Sequence, residues 1–276
     1  MSQTTHDPTS ESLANRSCLV TGGAGFLGSH LCRRLIRAGA HPIVFDIVPK
    51  YERSLLAAMD LAEQVEYIQG DVRSKEDLKA LAGRPFDFVF HLAAQPISGL
   101  SNLEPETTIE VNAGGTKELC AMLSDSGWPT VVLASSACAY GIPDPGASPL
   151  KETDLLRKGF YTYTESKQKA EREFCAAKGI RGVIGRFVNI YGPGDRHFSR
   201  IIPKTIRLLL RDRPLALSRG DGSTVLDFLY VDEAVNGLMQ LASYTSKREE
   251  GVPQILTLVS DQEMRSRCEI SSQGYR

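Results

Sequence analysis

Tyr163-Thr164-Glu165-Ser166-Lys167 sets a tyrosine four residues ahead of a lysine, a spacing that can move a proton. On a helix, positions i and i+4 share a face. An ammonium beside a phenol favours the phenolate, which turns the tyrosine into a general base. The pattern alone is common and mostly marks a solvated helix face. It gains weight here from Ala134-Ser135-Ser136, which closes an apolar run upstream. Parallel strands gather ligands at their carboxyl ends, so Ser136 offers a hydroxyl where a substrate would lie.

A second constellation binds rather than reacts. Thr21-Gly22-Gly23-Ala24-Gly25-Phe26-Leu27-Gly28 follows a short apolar run and opens a helical pattern, and Gly23, Gly25 and Gly28 satisfy G-x-G-x-x-G. Glycines there permit a tight turn and let the N–H groups of a helix N-terminus, around Gly22, Gly25, Phe26, Leu27 and Gly28, approach a pyrophosphate. Asp46 ends the next strand a little over twenty residues on. Its carboxylate suits a ribose 2′-OH and repels a 2′-phosphate, so NAD is expected over NADP. Asp71 and Val72 follow a third strand, where Asp71 is placed for an adenine. Leu92, Ala93 and Ala94 follow a fourth, where small residues let backbone lie against a cofactor. A positive nicotinamide ring would add to the pull of Lys167 on Tyr163. His91 is read as structural.

These residues need a scaffold of strands alternating with helices. Strands are expected at Cys18–Val20, Pro42–Asp46, Val65–Gln69, Phe86–His91, Thr130–Ala134 and Arg181–Phe187. Helical patterns lie between them at about Phe26–Ala38, Arg53–Ala62, Lys75–Leu81, Glu106–Ser124 and Thr164–Lys178. That rhythm predicts an α/β fold, a doubly wound parallel Rossmann sheet over residues 17–187. Residues 188–276 read as a small, incomplete C-terminal substrate lobe interleaved with the sheet. It holds a helix at about Arg200–Arg211, short strands near Pro214–Leu217 and Val225–Tyr230, a helix near Asp232–Ser243 and a strand from Ile255 to Val259. Residues 1–16, polar and rich in Ser and Thr, read as a disordered leader.

The chain has 276 residues and a formal net charge of −1, which gives no general reason to expect nucleic acid or an anionic membrane as partner. No segment is apolar and long enough to span a bilayer, and no signal peptide is visible. Six scattered cysteines form no CxxC pair and no metal-ligand spacing, so no metal is expected and the compartment reads as cytoplasmic.

Taken together, TGGAGFLG, HLAAQ, Val111-Asn112-Ala113-Gly114-Gly115-Thr116, SSACAYG, YTYTESK and RFVNIYGPG resemble, in order, an extended short-chain dehydrogenase/reductase of the nucleotide-sugar epimerase/dehydratase branch. The resemblance covers about Ser17 to Ser243. It implies tightly held NAD, with Asn112, Tyr163 and Lys167 joining the cofactor site, and a nucleoside diphosphate sugar as substrate. It implies Ser136, Tyr163 and Lys167 as the catalytic set. Tyr163 takes the sugar 4-OH proton as hydride passes from C4 to NAD, Ser136 bonds the same oxygen, and Lys167 holds the nicotinamide ribose. Asn189 resembles a residue near the substrate diphosphate, and Arg200 lies in a loop similar to a nucleotide-side loop. The helices Glu106–Ser124 and Thr164–Lys178 resemble a pair that builds a homodimer interface.

The departures from the family direct the expected reaction. Ala137-Cys138 stands where sugar 4,6-dehydratases resemble one another in carrying Asp-Glu. Eliminating water needs a base at C5 and an acid at the C6 oxygen. Epimerisation needs neither, so a 4-epimerase with a transient 4-keto intermediate is the leading expectation. A dehydratase using Glu165 or Cys138 is the second, and a non-catalytic NAD-binding protein the third. Leu226 stands where the family has a diphosphate-clasping arginine, a loss of about 1.5–3 kcal/mol of binding unless Arg219, Arg200 or Arg196 compensates. The tail from Arg265 lacks apolar periodicity and reads as a truncated or frameshifted end.

Overall fold

Strand β1 (Ser17–Thr21) sends Cys18 and Val20 into one core and Leu19 into another, all three fully buried. Side chains alternate between the faces of a strand, and a strand covered on both sides therefore reads as an unbroken apolar run. The same holds along β2 (His41–Asp46), where Val44 faces the first core and Ile43 and Phe45 the second. The computed structural model describes residues 12–52, 54–124, 127, 129–142, 150–214, 226–248 and 253–258.

Seven strands form one sheet in the order β3-β2-β1-β4-β5-β6-β9, with every pairing parallel. The remaining members are β3 (Glu66–Gln69), β4 (Phe88–His91), β5 (Thr130–Ser136), β6 (Arg181–Phe187) and β9 (Gln254–Leu258). The chain turns back between β1 and β4, the crevice where doubly wound sheets take their ligands. Nine helices are labelled along the described residues: α1 (Phe26–Arg37), α2 (Leu55–Ala58), α3 (Lys75–Leu78), α4 (Ser98–Ser101), α5 (Pro105–Ile109), α6 (Gly115–Leu123), α7 (Thr162–Ala176), α8 (Ile201–Leu209) and α9 (Val231–Ser246). Leu31 and Leu35 of α1 and Leu238 and Met239 of α9 pack on one face, and Leu119 and Leu123 of α6 and Phe174 of α7 on the other. A separate two-stranded parallel ribbon joins β7 (Asn189–Tyr191) to β8 (Phe228–Tyr230).

Several expectations need correction. The end of the leader is packed: Leu13 is fully buried in the first core, and Asn15 N–H donates to Gly39 O at 2.8 Å. The helix expected over Arg53–Ala62 is only α2, because the chain turns at Asp60, whose φ of 56° lies in the left-handed region. The single helix expected over Glu106–Ser124 is interrupted by a π-helical turn at Glu110–Gly114 between α5 and α6. The strand read from Val225 is the shorter β8. Two parts of the C-terminal segment belong to the main layers: β9 pairs with β6, and α9 packs against α1, β5 and β6. Most of the leader, the expected strand beyond Pro214, Arg219 and the tail from Val259 lie outside the described residues.

Candidate functional site

The glycine turn between β1 and α1 is shaped by close backbone approach. Gly22 has φ of 72°, and a Cβ there would stand 2.7 Å from Ala93 N. A Cβ on Gly28 would stand 2.3 Å from Gly22 O, so only glycine lets α1 close onto the turn. Gly25 is the N-cap of α1 without a side-chain cap, and no acidic residue occupies the first turn. The opening N–H groups of a helix lack intrahelical partners, and an anion satisfies them. This uncapped start is the observation on which a cofactor pyrophosphate fits Gly25, Phe26, Leu27 and Gly28.

Asp46, at the end of β2, is buried and accepts from Ala24 N–H at 2.9 Å through Oδ2 and from Val48 N–H at 2.9 Å through Oδ1. Burial raises its carboxyl above the ordinary range, and those backbone donors pull it back. It therefore braces the glycine turn while keeping lone pairs for a ribose diol. Asp71 turns its carboxylate to Arg73 (Nε to Oδ2, 2.9 Å), and that charge-assisted bond holds it below the usual range. Val72 is buried, with its side chain packed against Gly115 of α6. Leu92, Ala93 and Ala94 leave β4 beside Gly22.

His91 ties β1 to α6. Its ring lies 2.7 Å from Thr21 Oγ1 and 3.0 Å from Thr116 Oγ1, and burial lowers it to about 3, so it is neutral. Asn112 sits in the π-helical turn, buried. It accepts from Gln95 N–H at 2.8 Å and donates to Gln95 O at 3.2 Å and to Ser166 Oγ at 2.9 Å. Its amide is committed to protein groups, so Asn112 fixes the chain leaving β4 and docks it to α7.

Ser136 and Tyr163 meet. A hydrogen bond between their side chains lowers the phenol, but burial, helped by the nearby Cys138, dominates and pushes Tyr163 well above its ordinary value. Lys167 lies on the same face of α7, with Nζ 5.9 Å from the Tyr163 ring centroid and donating to Ala134 O at 2.9 Å. Burial lowers Lys167 to about 8. The expected depression of Tyr163 by Lys167 is not found in the protein alone, where desolvation dominates and the groups that lower the phenol are Ser136 and Arg200. The sequence reading also missed what sets the start of α7. That helix has no side-chain cap of its own. Instead Ser101 Oγ accepts from Tyr163 N–H at 3.0 Å and Asn102 Oδ1 from Thr162 N–H at 2.8 Å. Nothing in local sequence linked those distant polar residues to Tyr163.

The substrate side is more open. The positive charge of Arg200 weakly lowers the Tyr163 phenol, and Arg200 Nη1 lies 3.3 Å from Asp195 Oδ2. Asn189 is exposed and donates to Asp227 O at 3.1 Å. Leu226 is half-buried beside it. Cys138 is exposed on the one-turn helix Ala137–Tyr140, its N–H bonded to Ser136 Oγ at 3.1 Å. Glu165 pairs with Lys169 at 2.7 Å on the solvent side of α7, away from Tyr163, and so offers no base to the site. A cavity of ≈ 540 Å³ lies between the Gly192–Asp195 turn and α8, and Ser136, Tyr163 and Lys167 do not line it.

Sheet and site define a dinucleotide-binding α/β protein whose serine, tyrosine and lysine converge at the carboxyl edge of the strands. Residues 18–253 match the NAD dependent epimerase/dehydratase family, and the chain belongs to it. It is 32% identical over 232 residues to a UDP-N-acetyl-alpha-D-glucosaminuronate decarboxylase of Bacillus cytotoxicus, covering 80% of this chain and 69% of that protein. It is 28% identical over 253 residues to UDP-glucose 4-epimerase 3 of Oryza sativa subsp. japonica, covering 81% of this chain and 66% of that protein. The epimerase Mth375 of Methanothermobacter thermautotrophicus superposes with a TM-score of 0.77 at 29% identity, over 92% of this chain and 74% of that one. The chain thus spans about two thirds of the length of these two curated relatives. No helix among the described residues is long and apolar enough to cross a membrane.

Proposed function

We propose that this chain is an NAD-dependent 4-epimerase of a nucleoside diphosphate hexose. The observation that carries the reading is the meeting of Ser136 and Tyr163 above Lys167, with Ala137-Cys138 beside them and Glu165 turned away. Tyr163 accepts the proton of the sugar 4-OH and later returns it. Ser136 bonds the same oxygen and holds it in line with the phenol. Lys167 supplies positive charge under Tyr163 and a donor for the nicotinamide ribose. A dinucleotide held at Gly25, Phe26, Leu27 and Gly28 would supply reversible hydride exchange at the sugar C4. Neither Ala137 nor a solvent-facing Glu165 can remove a C5 proton, so elimination of the 6-OH would have to use Cys138 as its base.

Arg200 supplies charge on the side where the diphosphate would lie, partly replacing what Leu226 lacks. The relatives acting on UDP-sugars make uridine diphosphate the first nucleotide to try. The helices α5 to α7 are also proposed to pair with a second copy of the chain, and a monomer by light scattering would remove that part.

The test is incubation of the chain and NAD with UDP-, CDP-, GDP- and dTDP-hexoses, following anomeric protons by NMR. An isomer supports the reading. A 4-keto-6-deoxy product replaces it with a dehydratase. Unchanged sugar from a chain that holds NAD replaces it with a binding protein.

A further inference from the structure

Arg186 is the bulkiest fully buried side chain among the described residues, at 1% exposure, and the chemistry above does not use it. It lies in β6 between Ser135 of β5 and Thr257 of β9, its register partners on either side. Its guanidinium grips Glu171 of α7 with both teeth, Nε to Oε1 at 2.9 Å and Nη2 to Oε2 at 2.7 Å. Ser135 Oγ donates to the same Oε1 at 2.6 Å. The guanidinium also lies 4.5 Å above the Tyr140 ring, whose hydroxyl is 2.6 Å from Thr257 Oγ1.

Glu171 follows Lys167 by one helical turn, as Lys167 follows Tyr163, so the three share the face of α7 turned to the sheet. Three consecutive residues of β5 receive them: Ala134 takes Lys167, Ser135 takes Glu171 and Ser136 takes Tyr163. A buried carboxylate is tolerated because Arg186 and Ser135 satisfy it.

We propose that Glu171 is a positioning residue for Lys167, anchored by Arg186, and that its buried negative charge keeps the Lys167 ammonium protonated on Ala134 O. This rests on the role assigned to Lys167 above, but its physical content is independent of turnover. The groups facing Lys167 are Tyr163 and Glu171 on its own helix, His91 from β4 and Cys138 from the turn after β5. His91 is neutral and carries no opposing charge at working pH. Burial works against the ammonium and Glu171 works for it.

The experiment is NMR titration of the full chain carrying isotope-labelled lysine, with the Lys167 signal assigned by its absence from Lys167→Met. Glu171→Gln keeps the shape and the bond to Ser135 but removes the charge. Its Lys167 midpoint should fall by about one pH unit or more. Arg186 is left unpaired in that variant and would itself repel the ammonium, so Glu171→Gln/Arg186→Gln, with no bare charge, is titrated beside it and should show a smaller move in the same downward direction. A Lys167 midpoint unchanged from the parent in either variant, with a cooperative melt showing that it is folded, overturns the proposal. A Tyr163→Phe chain with full turnover would instead overturn the catalytic reading and leave this titration standing.

Discussion

Lys167 Nζ and Ala134 O lie 2.9 Å apart, and that bond ties the helix of Tyr163 to the strand that ends in Ser136. Tyr163 stands one helical turn from the tie, so its phenol is delivered by backbone geometry rather than by a flexible loop. Tyr163→Phe keeps that geometry and removes the proposed proton carrier. Turnover should fall by about 10²–10⁴-fold while NAD remains bound. Full turnover in steady-state assays would dismiss Tyr163 as the base.

The phenol itself should change on cofactor binding. Burial holds Tyr163 above its ordinary value in the protein alone, so it stays protonated at neutral pH. A positive nicotinamide ring favours the phenolate, and the midpoint should then move downward. Ultraviolet difference titration with and without NAD, against Tyr163→Phe as blank, reads it directly. An unmoved midpoint would mean that the ring does not reach the phenol.

Lys167 has a cost in stability that pH should reveal. Its folded value of about 8 lies below the ordinary 10.5, so the unfolded chain holds more protons between those values. This group's contribution to stability therefore rises as pH climbs from about 8 to 10.5. Lys167→Met should be more stable than the parent at pH 7, on the order of 3 kcal/mol, with the gap closing at high pH. Denaturant melts of both chains across this range test it, and a pH-independent gap would refute it.

Gly28→Ala should be poorly tolerated. Its methyl would stand 2.3 Å from Gly22 O, a backbone atom that cannot swing away. A loss of about 1–3 kcal/mol of stability is expected, with weakened NAD binding as α1 is pushed off the turn. Calorimetric titration with NAD measures the second effect, and parental affinity would show that the turn relaxes.

Asp46→Ala should weaken NAD about tenfold and narrow the preference over NADP, because the carboxylate both braces Ala24 N–H and opposes a 2′-phosphate. Paired titrations with the two cofactors decide it, and an unchanged ratio would remove Asp46 from cofactor choice.

Much of this was legible because the signals are local. The glycine spacing between β1 and α1, Asp46 at a strand end and the i, i+4 pair of Tyr163 and Lys167 each sit within one element or one turn. The π-helical turn at Glu110–Gly114 was not, since apolar residues continue through it and only the backbone pairing changes. Leu13 was hidden in a polar stretch, and its burial depends on a core assembled elsewhere. Glu171 and Arg186 did leave a trace. A charge on the buried face of a helix, and an arginine inside the strand between Gly185 and Phe187, each require a partner. Which partner depends on the register of β5 against β6, which neither segment encodes alone.

Strand β9 has a consequence for how the molecule is made. It comes from residues 254–258, yet it closes a sheet whose neighbouring strand is synthesised some seventy residues earlier. Until Leu258 has left the ribosome, β6 is an open edge with unpaired amides and the apolar Val183, Ile184 and Phe187 beside them, a template for wrong pairing. The nascent chain should therefore depend on chaperones late rather than early, and premature termination just before Gln254 should yield aggregate instead of a smaller folded domain.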